Sequence, residues 1–289
     1  MREFDKQILE IARDRIVAIE DHLQADAVFF YGPIFPSLEK TFRDFIENLR
    51  ADDSGRQRVA IILTSPGGSA ETVEKLVDIV RHHYGEVYFV IPDEAMSAGT
   101  IFAMSGDKIY MDYTSSLGPI DPQVHNGKEW VPALGYLDQV ERMIRKSADG
   151  NLTDAELVIL QNLDLAMLSR YEQAKNLTIT LLKKWLVEFK FRDWKEHATD
   201  PAKKGHPVTL DEKRQRAEEI ASHLSDNKLW HSHGRKIGVK TLTTLLRLRI
   251  EDFSADAELR PKIRSYSEFL TDYINRHDYS FFLHSRCYF

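Results

Sequence analysis

Three short segments carry residue types that could do chemistry. The first is Ser65-Pro66-Gly67-Gly68-Ser69. A glycine pair can approach a ligand closely and aim backbone N–H groups at it. A helix opening directly behind it adds positive partial charge. Together these suit a developing oxyanion, and equally they suit a tight strand-to-helix turn. No Walker lysine follows the glycines and there is no Gly-x-Gly-x-x-Gly pattern, which argues against phosphate cradling. The second segment is Ala95-Met96-Ser97-Ala98-Gly99-Thr100. A serine here stands at a helix start between small neighbours that let a substrate approach, in the manner of a nucleophile elbow without its Gly-x-Ser-x-Gly sequence. The competing reading of Ser97 is an N-capping serine. The third is Leu117-Gly118-Pro119-Ile120-Asp121-Pro122-Gln123, whose prolines and glycine fix a rigid bend.

The elements that must position these segments are legible from periodicity. Residues 4–22 read as a helix with Ile8, Ile11, Ile16 and Ile19 as its apolar positions. Strands are expected over 27–34, 58–65, 86–91 and 107–112, and the unbroken apolar run of 58–65 suits a sheet covered on both faces. Helices are expected over 37–50, after the Pro-Gly-Gly turn, and over 97–105. This alternation predicts an α/β sheet with crossover helices. After about residue 136 the pattern turns helical. Thr153-Asp154-Ala155-Glu156 matches a capping box and opens a long helix through Leu157, Leu160, Leu163 and Met167. Further helices are expected at about 177–190 and 209–224, the latter with a second capping box at Thr209 and Glu212; 197–209 reads as a loop. The division expected is a domain over 1–250 and a C-terminal extension over 251–289, whose aromatic end docks on the core or on a neighbouring subunit.

The 289 residues carry a net charge of −6, which counts against a nucleic-acid binder. A single cysteine, Cys287, allows no internal disulfide. The N-terminus lacks the apolar core of a signal peptide, and no window resembles a membrane helix; the expected compartment is the cytoplasm.

The three segments, in this order and at this spacing, resemble the serine dehydrogenase proteinase family, a relative of the Clp proteolytic subunit and of signal peptide peptidase A. "AMSAGT" and "LGPIDPQ" are similar to its signatures, and "SPGG" is shared with the wider Clp-like group; the likeness is dense over about 58–124. The resemblance implies a Clp/crotonase fold with a helical C-terminal portion. It implies Ser97 as nucleophile, an oxyanion hole from the amides of Gly68 (or Gly67) and Ala98, and peptide or protein substrates. It also implies a homo-oligomer and no metal or organic cofactor. The segment 142–160 is similar to the signal peptide peptidase stretch that carries a catalytic lysine, which makes Lys146 the base. A lysine accepts a proton only when neutral, and from a reference value of about 10.4 that costs roughly 4.6 kcal/mol at pH 7. Burial must supply most of it, with help from Arg142 and Arg145. The competing reading of Lys146 is a surface lysine in a basic loop. The competing base is His125, behind Asp121, as in a Ser-His-Asp arrangement; Asp121 is equally a turn residue.

The remaining histidines have plainer readings. His82 and His83 end a helix and complement its dipole. His231 and His233 could ligate a metal, but no further ligands are spaced around them, and the resemblance gives 228–238 a structural role. Two other activities share the expected fold. A crotonase-like acyl-CoA enzyme would use backbone amides without a serine nucleophile. A silent oligomeric scaffold would place no base near Ser97.

Overall fold

The computed structural model describes residues 3–52, 54–125, 130–197 and 202–287, with backbone alone at 3–5, 123–125 and 130–132. The chain opens with α1 (Glu3–Leu23), β1 (Asp26–Tyr31), a 3-10 turn at Pro36–Leu38 and α2 (Glu39–Ala51). Then come β2 (Arg58–Thr64), α3 (Ala70–His83), β3 (Glu86–Ile91), β4 (Glu94–Ala95), α4 (Ala98–Met104), β5 (Lys108–Met111) and β6 (Ser116–Leu117). The middle holds β7 (Gln123–His125), β8 (Trp130–Pro132), α5 (Ala133–Ala148), α6 (Asp154–Gln161) and α7 (Leu165–Trp185), which runs into a π turn at Leu186–Lys190. The last third holds α8 (Leu210–Ser225), α9 (Asn227–Trp230), β9 (Ile237–Gly238), α10 (Val239–Thr244), β10 (Glu251–Asp252), α11 (Leu259–Arg276) and β11 (Phe282–His284).

The main sheet has the order β10-β5-β3-β2-β1-β11, parallel throughout except for β11 at one edge. Its central strands are apolar at nearly every position because they serve two cores at once. Side chains alternate across a strand. Val28 and Phe30 of β1, Val59, Ile61 and Leu63 of β2, and Val87, Phe89 and Ile91 of β3 face α2, α3, α4, α7 and α8. Their intervening neighbours Ala27, Phe29, Ala60, Ile62, Tyr88 and Val90 face α1 and α11. Residues 251–289 thus supply both edge strands of this sheet and half of its second helical layer. Arg286 anchors their end, bonding Glu20 at 2.7 Å, Asp26 at 2.8 Å and Asp52 at 2.8 Å.

A smaller sheet, β4-β6-β9, sits beyond the C-terminal ends of the main strands. Its register aligns Ala95, Leu117 and Ile237 across the three strands. One expected helix is in fact two. The continuous helix from Thr153 through Met167 breaks after Gln161, because the Asp164 carboxylate accepts the N–H groups of Ala166 and Met167 and starts α7 afresh. Its expected apolar positions serve no common core: α6 buries none of its residues.

Candidate active site

The first and second segments meet side by side. Ser65, just past β2, donates its N–H to the Glu94 carbonyl at 3.0 Å and accepts that of Met96 at 2.9 Å. The chain then turns through two glycines at positive φ, +110° at Gly67 and +149° at Gly68. Neither position has room for a side chain. A Cβ at Gly67 would stand 2.8 Å from the Ser97 Cβ, and one at Gly68 would stand 2.1 Å from the Ile34 carbonyl oxygen. Ile34 fixes this loop from its far side, donating to the Gly67 carbonyl and accepting from the Ser69 N–H, each at 2.9 Å. The Ser69 hydroxyl caps α3 through the Thr72 N–H.

Ser97 occupies the residue before α4 with φ 52° and ψ −117°. This is not the extended backbone of a capping serine, and its hydroxyl makes no capping bond. The capping reading is therefore displaced. A non-glycine residue in such a region stores about 1–3 kcal/mol of strain, which the surroundings must hold in place. They do so on both sides: Gly67 packs on Ser97, and α4 behind it is buried at every residue.

The third segment closes the arrangement. The Thr100 hydroxyl lies 2.7 Å from the Ala95 carbonyl and 3.0 Å from that of Gly118, and accepts the Gly118 N–H at 2.9 Å. Gly118 packs so close to Met96 that a Cβ would stand 2.6 Å from its Cε. Thr100 thus ties α4 to the rigid bend. Sequence reading gave Thr100 no part of its own, although it lies within the quoted motif.

Of the three amides expected at an oxyanion hole, that of Gly67 is engaged by the Ser65 Oγ at 3.1 Å. The Ala98 N–H opens α4 and has no acceptor within the helix. Among the described residues no acceptor meets the Gly68 or Ala98 N–H.

Lys146 lies near the end of α5, its side chain 42% exposed, with Nζ 2.6 Å from Glu156 Oε1. Glu156 also accepts the Thr153 N–H in the predicted capping box. Its carboxyl is held down to about 2 by Lys146 and then Thr153, so it is ionised across the neutral range. The burial expected of a lysine base is thus not met in the single chain. The backbone of His125 falls in β7 opposite Trp130, and its side chain lies outside the described atoms. Asp121 is buried, and its Oδ1 meets His233 Nδ1 at 2.8 Å. The pairing joins residues far apart in sequence and had no local signal. His231 ends α9 in the left-handed region, and among the described residues no group of three metal-ligating side chains forms.

The family of ClpP-like SDH-type serine proteinases matches residues 2–230. The uncharacterized protein MJ0137 of Methanocaldococcus jannaschii is 26% identical over 217 residues, covering 74% of this chain and 71% of its own. A second protein of that organism, the uncharacterized MJ1495, is 32% identical over 150 residues, about half of each chain (50% and 49%). Among solved structures, a mutant of the 1510-N membrane-bound stomatin-specific protease aligns over 82% of both chains with 14% identity and a TM-score of 0.46. Another mutant of it, in complex with a substrate peptide, aligns over 82% of this chain and 77% of its own, with 16% identity and the same score.

Proposed function

The chain belongs to the family of ClpP-like SDH-type serine proteinases, and we propose that it cleaves peptide bonds through an acyl-enzyme on Ser97. One observation carries this reading: Ser97 is held at φ 52° with Gly67 directly against its Cβ, which sets the serine beside the Gly-Gly loop. The Ser97 Oγ attacks the substrate carbonyl carbon. Its proton passes to Lys146, and the Gly68 and Ala98 amides receive the oxyanion. Donors of this kind are worth about 10²–10³ each in rate. Collapse returns the proton to the departing amine, and water then hydrolyses the ester by the same route.

Lys146 must leave Glu156 and lose its water before it can act, because only the neutral amine has a lone pair for the proton and a facing carboxylate favours the ammonium. The reading therefore includes a homo-oligomer. Its support is a set of exposed aliphatic side chains on the helices that carry Lys146 and Glu156 and on the next one: Ile144 on α5, Leu157, Val158 and Ile159 on α6, and Leu165 at the start of α7. Apolar exposure beyond scattered single residues marks contact surfaces.

The test is hydrolysis of an unstructured fluorogenic polypeptide by the wild type, Ser97→Ala and Lys146→Met. Both variants are expected to remain folded and to lose activity on the order of 10⁴-fold or more. Wild-type turnover by Ser97→Ala removes the proposal. Turnover retained only by Lys146→Met removes the lysine from it.

A further inference from the structure

The segment 231–235 has no part in the chemistry above, yet it is built against the third motif. Asp121 is 2% exposed and its carboxylate oxygen lies 2.8 Å from His233 Nδ1. In this pair the ring Nδ1 is placed to donate and the carboxylate oxygen to accept. His233 is itself held in a tight turn: the Gly234 N–H donates to Ser232 Oγ at 3.3 Å and the Arg235 N–H to the Ser232 carbonyl at 3.1 Å. Two residues on, β9 begins and pairs with β6.

The placement follows from the small sheet. Ala95, Leu117 and Ile237 lie in line across β4, β6 and β9, and β9 runs antiparallel to β6. Ser97 follows β4, Asp121 follows β6 and His233 precedes β9, so all three leave the sheet at the same end. Among the described residues, three contacts anchor the bend between Gly118 and Asp121. Thr100 and Met96 hold Gly118, the Leu224 carbonyl accepts the Ile120 N–H at 3.0 Å, and His233 holds Asp121. Between them Pro119 stiffens the backbone. The first anchor belongs to the segment that carries Ser97, so the His233 contact and that segment bear on the same bend.

Resting on the assignment of Ser97 as nucleophile, we propose that His233 is a positioning residue of this active site. Its Nδ1–H, given to Asp121, locks the 117–121 bend against Met96 and Thr100 and so holds Ser97 in its strained conformation. It acts through Asp121 and the bend, not on the substrate.

The experiment compares the rate of fluorophosphonate labelling at Ser97 in the wild type, His233→Ala and His233→Asn. An asparagine amide can stand where Nδ1–H stands, so it restores the donor without the ring. A reacting group misplaced by about 1 Å through a change away from the chemistry can lose about 10²-fold. His233→Ala is expected to lose at least about tenfold in the maximal labelling rate with little change in probe affinity, and His233→Asn to recover most of it. Circular dichroism confirms that each variant is folded. Wild-type labelling in folded His233→Ala overturns the proposal, as does a loss that His233→Asn leaves unrestored. A wild type that does not label at all overturns the nucleophile assignment, and this inference with it.

Discussion

Gly67→Ala is the sharpest perturbation of the nucleophile's support. The new Cβ would stand 2.8 Å from the Ser97 Cβ and 2.9 Å from the Met96 carbonyl oxygen, at a backbone φ of +110°. Two costs add. Positive φ costs an L-residue about 1–2 kcal/mol. Overpacking against main chain costs about 1–3 kcal/mol more. The sum, about 2–5 kcal/mol, lies within the usual reserve of a domain, so the variant folds. For a chain of this size that corresponds to a melting temperature lower by roughly 3–8 °C. The effect on reactivity is larger, because relief of the clash must move either Ser97 or the neighbouring Gly68 amide. A displaced oxyanion donor costs about 10²–10³ in rate. Gly150→Ala is the control: Gly150 has φ +69° but nothing within 4 Å of a Cβ, so it incurs the backbone cost alone. Differential scanning fluorimetry and the rate of Ser97 labelling are the assays. Wild-type labelling by Gly67→Ala, with a melting shift no greater than that of Gly150→Ala, would refute the packing argument.

Three further outcomes follow from other parts of the molecule. Glu156→Gln keeps the acceptor for Thr153 but removes the charge beside Lys146; the rising limb of peptidase activity is expected at lower pH, and an unmoved pH profile would show that this pair is separate from catalysis. Arg286→Met leaves the buried Glu20 and Asp26 carboxylates without that partner, and burial already pushes the Glu20 carboxyl upward. Breaking such a cluster costs about 3–5 kcal/mol, measurable by urea unfolding, and an unchanged midpoint would contradict the role given to the C-terminal end. Light scattering is expected to give an assembly larger than the monomer for the wild type and a smaller one for Leu157→Asp; a monomeric wild type ends that part of the reading.

Much of the architecture was legible because two covered faces leave a plain record. Strands such as 86–91 are apolar at every position after Glu86 and bounded by glycine or proline, and the structure places β3 over the same residues. The capping boxes at Thr153 and Thr209 both formed, since each needs only residues three apart. Periodicity failed where local chemistry opposed it: Asp164 starts a new helix inside an apolar repeat. It also said little about residues 251–289, where two-residue and three-residue strands are too short to show alternation. In the site, glycine and serine types announced the Ser65–Gly68 and Met96–Ala98 contact. The pairing of Asp121 with His233 could not be read, because only the β6–β9 pairing brings those turns together. Nor could the tie between Lys146 and Glu156, which depends on the angle between α5 and α6.

The most direct test of the account is the covalent state of Ser97 during turnover. Rapid acid quench of the wild type with an activated ester of a short peptide, followed by intact-mass and fragment-mass spectrometry, reads the acyl group on its residue. The account predicts one acyl group per active chain, located on Ser97, accumulating before steady state and absent from Ser97→Ala. Product formed with no Ser97 adduct, or an adduct of equal yield on another residue in Ser97→Ala, would contradict it.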